Sequence, residues 1–140
     1  MSKSLTQVER LANAVLALPQ AQLETFHYFA DGMYFRMLAR PKGTLICGKT
    51  HKKRHVYLVL SGTVAITNGD EPPREVTGPA LIVSEKGTKR AVLALTDAIC
   101  MTVHRTEETD LDKVETDLVE DDPRSPYLPG NTLEAPCALS

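Results

Sequence analysis

Between residues 24 and 105 the chain alternates short apolar runs with turn residues. The runs are FHYF, MYFRMLA, TLICGK, HVYLVL, TVAIT, REVT, ALIVS, RAVLAL and AICMTVH. ADG, RPKG, SG, NGDEPP, TGP, EKGT and TDA lie between them and are sound turn chemistry. Asn68-Gly69-Asp70 after TVAIT is a hairpin signal. Many short strands with no helix interleaved predict an all-β sandwich or barrel over residues 24–105, not a parallel α/β sheet.

The two ends follow a different period. Leu5, Val8, Leu11, Ala12, Val15 and Leu16 fall on one face of a helix, Ser4 and Gln7 form a capping-box pattern, and Pro19 marks the stop. This predicts an amphipathic N-terminal helix within residues 1–20. Leu111, Val114 and Leu118 predict a second helix within residues 106–122, with Thr109 as N-cap, Asp110 and Asp112 near the positive end of its dipole and an acidic face in solvent. Beyond it, Pro123, Pro126, Pro129 and Pro136 leave residues 123–140 as an extended arm. Leu5, Val8, Leu11 and Val15 on the helix, with Tyr127, Leu128 and Leu133 on the arm, are the candidate partner contacts.

Composition narrows this picture. The 140 residues suit one domain, and 16 basic against 18 acidic side chains argue against a surface built for nucleic acid. No apolar run is long enough to span a membrane, and MSKSLTQVERLANAV lacks the unbroken apolar stretch of a secretory signal. Cys47, Cys100 and Cys137 form no C-x-x-C pair, so a reducing compartment is expected, with Cys47 and Cys100 as small buried thiols. Nucleophilic triads, Walker motifs and G-x-G-x-x-G loops are absent from the sequence, and no catalytic residue is assigned.

The candidate chemistry lies in GKTHKKRHVYLVLSG, residues 48–62. His51 and His55 are an even number apart, so on an extended strand both point to one face. Set against the cupin pattern G-x5-H-x-H-x(3,4)-E-x6-G, anchored on Gly62, the stretch places Lys49, His51 and His55 at the two histidines and the glutamate. EKGTKRAVLA follows the second cupin pattern, with Gly87 as its inner glycine and Arg90 at its histidine. The chain therefore resembles the cupin superfamily over residues 40–104. GTKRAVLALTDA, TVHRTEETDLDKVE and FHYFADGMYFRMLARPKGT look like small cupin-like proteins encoded by tailed bacteriophages.

That resemblance implies a jelly roll and a pairing of subunits through their sheets as a homodimer. It also implies metal ligands that this sequence replaces. Lys49 and Arg90 put permanent cations at two of the four ligand positions. At about 4 Å, like charges repel by roughly 4 kcal/mol per unit pair at an effective dielectric near 20, so no metal and no cofactor is expected. Lys49, His51, His55 and Arg90 become candidate ligands for a small anion, phosphorylated or nucleotide, with Lys52, Lys53, Arg54 and Lys89 nearby.

The leading expectation is a non-enzymatic phage virion accessory protein, a capsid cement or decoration subunit binding the major capsid protein. The alternative is an anion-binding cupin pocket, and a third reading is a metal- or histidine-dependent cupin enzyme. The location expected is the virion for a structural role and the host cytoplasm otherwise, with no membrane or nucleic-acid partner.

Overall fold

A computed structural model describes residues 5–15, 23–120, 127–128 and 132–133. Its elements follow the runs and turns closely: α1 (Gln7–Val15), β1 (Glu24–Ala30), β2 (Met33–Arg40), β3 (Leu45–Cys47), β4 (His55–Ser61), β5 (Thr63–Asn68), β6 (Arg74–Thr77), β7 (Ala80–Ser84), β8 (Arg90–Ala94), β9 (Ala98–Arg105), α2 (Leu111–Leu118), β10 (Tyr127–Leu128) and β11 (Thr132–Leu133). β1-β2-β9-β4-β7 form a five-stranded antiparallel sheet and β3-β8-β5-β6 a four-stranded one. The two sheets face each other as a sandwich and do not close into a barrel. The expected hairpin joins β5 to β6 through Gly69, whose φ of 60° a side chain would resist. Within the arm, β10 and β11 pair with each other, and the rest of residues 121–140 lies outside the described residues.

Tyr57, Val59, Ala98 and Cys100 of the larger sheet pack on Val64, Ile66 and Val92 of the smaller one and form the apolar core. Gly62 makes the tight corner between β4 and β5: its φ is 80°, and a Cβ there would lie 2.2 Å from the Asp97 carbonyl oxygen.

The larger sheet turns unexpected faces inward. On β2, Tyr34, Leu38 and Arg40 are buried and Arg36 is half-buried, whereas Met33 is exposed. The register continues this across the sheet. Inside, one row runs Phe29–Tyr34–His104–His55–Ser84, His55 lying across from His104 one step beyond the Val56–Val103 pair. The next inner row runs His27–Arg36–Thr102–Tyr57–Ile82. Outside, the rows are Phe26–Met37–Met101–Leu58–Leu81 and Tyr28–Phe35–Val103–Val56–Val83, apolar but for the Tyr28 hydroxyl.

Both helices form, with details the sequence misplaced. α1 is capped by Thr6 and Glu9: Thr6 Oγ1 accepts from the Glu9 N–H and Glu9 Oε1 from the Thr6 N–H, each at 3.1 Å, while Ser4 of the expected capping box lies outside the described residues. Val8, expected at a partner contact, is fully buried within its own chain, and its N–H donates to Gly69 O. Leu5 remains exposed, while Leu11 and Val15 are half-buried.

The N-cap of α2 is Asp110, not Thr109, because Asp110 holds the extended backbone and accepts from the Asp112 N–H at 2.9 Å. Val114 and Leu118 seat α2 on Tyr34. Its acidic side is not simply solvated. Glu115 turns inward, and Asp117 takes Lys53 Nζ at 2.9 Å and the Thr106 hydroxyl. Lys52 Nζ donates to Thr116 O, so this part of the basic cluster straps the end of α2 onto the loop before β4.

Candidate functional site

Where the inner polar rows meet α2, a cavity of about 80 Å³ opens between the sheets, room for several waters or a small oxyanion. Arg36 and Arg40 reach it from β2, Thr102 from β9, Tyr57 from β4 and Arg90 from β8. Lys49 and His51 enter from the loop after β3, and Glu115 from α2. Of the expected ligand residues, Lys49, His51 and Arg90 line this cavity, and His55 sits directly behind His51. Lys53 and Arg54 are drawn off to Asp117 and Glu85, and Lys52 to the Thr116 carbonyl.

Among the described residues the charges do not balance: four cations, from Arg36, Arg40, Lys49 and Arg90, face the one carboxylate of Glu115. Glu115 is shared between Arg36 at 3.8 Å and Lys49 at 3.6 Å. Arg90 donates to Ser84 Oγ and lies 4.8 Å over the Tyr57 ring, a cation–π contact.

Arg40 has no such partner among the described residues. It is 6% exposed, and its Nε and Nη1 make no hydrogen bond. The Thr102 hydroxyl is buried and unpaired as well. Tyr57 has only the weak Cys100 thiol beside its hydroxyl, and burial pushes that phenol up to about 12, so it stays protonated. Buried polar groups nearly always have partners, so donors left bare together mark a place where something else binds.

The third feature was not legible from spacing. His51, His55 and His104 gather so that one ligand nitrogen from each lies within 4.8 Å of the others. Their ring centroids are 4.0, 4.6 and 5.2 Å apart. Burial lowers all three below the usual imidazole range, His104 to about 3, and the neighbouring charge of Arg36 lowers each further. They are neutral at physiological pH. His51 Nδ1, His55 Nε2 and His104 Nδ1 are buried without a hydrogen bond. His27 is not among them; its Nδ1 shares a 2.6 Å hydrogen bond with the Tyr34 hydroxyl.

A cupin metal would need neutral nitrogen or carboxylate donors, and this trio fits in number, chemistry and protonation. The cations that argued against a metal are partly held elsewhere, Lys49 by Glu115 and Arg90 by Ser84 and the Tyr57 ring. The expectation of no metal therefore rested on two positions whose charge the fold turns toward other partners.

Solved structures share the arrangement of strands. A cupin-superfamily protein from Desulfitobacterium hafniense superposes with a TM-score of 0.54 at 11% identity, over 76% of this chain and 94% of that one. The fold is a cupin-type jelly roll. An RmlC-like cupin from Methanocaldococcus jannaschii gives 0.52 at 10% identity, over 76% of this chain and 93% of that one. KdgF from Halomonas gives 0.54 at 10%, over 64% and 84%. At these identities the likeness speaks for the cupin fold alone. No protein-family model matches the sequence, and no curated protein matches it.

Proposed function

We propose that this cupin fold is a small-molecule-binding protein whose inner pocket takes a ligand through a carboxylate or phosphate group. The observation that carries the reading is Arg40, a permanently charged guanidinium buried with two bare nitrogens beside three further cations and one carboxylate. Burying an unpaired charge is costly, and an anion would supply the missing charge and acceptors together. Arg36 and Arg40 stand four residues apart on one face of β2, about 13 Å, and both line the cavity that Arg90 enters from the facing sheet, so an anion held there meets guanidinium groups from both sheets. Thr102 and Tyr57 add neutral donors, which suit the partly charged or hydroxylated body of such a ligand.

The test is calorimetric titration of the whole chain with inorganic phosphate, sugar phosphates and short dicarboxylates. Saturable binding that weakens with salt and weakens at least tenfold in Arg40→Met supports the reading. Absence of binding across the panel, or binding indifferent to Arg40, would end it.

A second reading draws on a separate observation, the apolar outer rows of the larger sheet. Leu81 is 61% exposed, and Tyr28 and Val83 are about half exposed. A face of that kind suits burial against another protein. A second copy of this chain is the occupant proposed, because a twofold dimer needs only one self-complementary patch. The virion accessory role would use the same kind of surface. It is tested by looking for this chain in stoichiometric amount in purified particles, and its absence there would discard that role without touching the pocket.

A further inference from the structure

We propose that His51, His55 and His104 bind a divalent first-row transition-metal ion, with His104 of β9 as a ligand that lies outside both cupin sequence patterns. Those patterns would draw ligands from positions 49, 51, 55 and 90, and two of the four hold Lys49 and Arg90 here. The centre is moved instead toward the last strand of the larger sheet, where the register sets His104 beside His55.

Two observations converge on it. Each ring has a buried nitrogen with no hydrogen bond, and three such orphans within one cluster call for a shared partner. The His55 Nδ1 lies 3.1 Å from the Lys53 carbonyl oxygen, to which its N–H donates, leaving the Nε2 lone pair facing the cluster. That backbone carbonyl does for His55 what an outer-shell acceptor does for a metal-ligating imidazole, fixing its tautomer and orientation.

Metal–nitrogen bonds of 2.0–2.1 Å set ligand nitrogens about 3.0–3.4 Å apart, so the trio must close from within 4.8 Å. That closure falls to rotation of the rings, because His51 is held by its bridge to Val119 and by backbone hydrogen bonds with Thr88 and Gly87, and His55 and His104 lie on strands. The loop is tied to α2 through the Lys52 N–H on Leu118 O and the Glu120 N–H on Thr50 O. Closure on a metal would therefore tighten the seat of α2. Arg36, Arg90 and Lys53 face the trio and oppose a dication, with Glu115 offsetting Arg36 and Asp117 offsetting Lys53. An imidazole-only set under that field favours Zn2+, Ni2+, Co2+ or Fe2+ over oxygen-seeking Mg2+ or Ca2+. When bound, such an ion would supply Lewis acidity at the edge of the anion pocket.

The experiment uses the full chain, without a histidine tag, stripped by chelator and titrated with Co2+ alone. One equivalent should bind, with a visible d–d band, and the melting temperature should rise. His51→Ala and His104→Gln should each lose the band and the saturation, while His27→Gln keeps both. Should His104→Gln not fold, His51→Ala on the loop carries the test. No saturable Co2+ binding, or binding unchanged in the folded His51→Ala protein, overturns the proposal. Phosphate binding through Arg40 is read separately, so either result stands without the other.

Discussion

Replacing Arg40 by methionine separates a functional guanidinium from a structural one. Arg40 is 6% exposed, with Nε and Nη1 unpaired. Each buried, unsatisfied donor costs about 1–3 kcal/mol, and methionine fills much of the same space without any donor. The ligand-free protein should therefore gain about 1–3 kcal/mol, after allowance for imperfect repacking against Leu38 and Ile46. For a domain of this size that is a rise of roughly 3–9 °C in melting temperature. The same substitution should weaken phosphate or carboxylate binding about 10–150-fold, since a hydrogen bond to a charged group is worth about 1.5–3 kcal/mol. Differential scanning calorimetry without ligand and isothermal titration with it read the two effects independently. A protein that melts lower after Arg40→Met refutes the reasoning, because the guanidinium would then be satisfied by its own fold.

The histidine trio sets the acid response of the metal-free protein. His104 is lowered to about 3 in the fold against 6.5 unfolded, so between those values the unfolded chain binds the extra proton and stability falls as pH falls. From pH 6.5 to 5 the loss from His104 alone is about 2 kcal/mol, read from urea midpoints, and a flat profile would contradict it. Gly62→Ala should destabilise by about 3 kcal/mol or more, from the left-handed backbone and the 2.2 Å approach to Asp97 O, measured by urea denaturation. Leu81→Glu should leave the melting temperature nearly unchanged and shift the protein toward monomer in analytical ultracentrifugation; an unaltered mass would discard the face as the dimer contact.

The strands were legible because their turns are. NGD, TGP and EKGT bound their runs closely, and the cupin spacing from Gly62 placed His51 and His55 beside each other before any coordinates. Arg36, Arg40 and His104 were not found. His104 meets His55 only through the β4–β9 pairing, between strands more than forty residues apart, which no local spacing reveals. The KKR cluster misled in a different way. Lys52 and Lys53 do not join the pocket because the helix expected to carry a solvated acidic face brings Asp117 and the Thr116 carbonyl to them. The cap of α2 slipped by one step, from Thr109 to Asp110, since several neighbouring side chains can cap and only the backbone selects one.

Arg36 and Arg40 went unseen for a reason that bears on what the protein does. In MYFRMLAR the strongly apolar set is Met33, Phe35, Met37 and Ala39, and an ordinary half-buried strand would turn that set inward. This strand turns it out, and β1, β4 and β9 agree, giving outer rows whose one polar group is the Tyr28 hydroxyl and inner rows with histidine, arginine, threonine and tyrosine. A one-residue slip would restore the usual sense, so the register is held against the simple hydrophobic gain by whatever satisfies the inside and covers the outside. The deep core under Val59, Cys100 and Val64 remains apolar and keeps the sandwich closed. The inversion is confined to the end where the cavity, the histidine trio and α2 meet. A polar interior there is stable only with its donors and lone pairs answered, and an apolar exterior only when covered. The proposed pocket ligand and the proposed second subunit answer the same inversion from its two sides: one would pair the polar residues within, and the other would cover the apolar rows without.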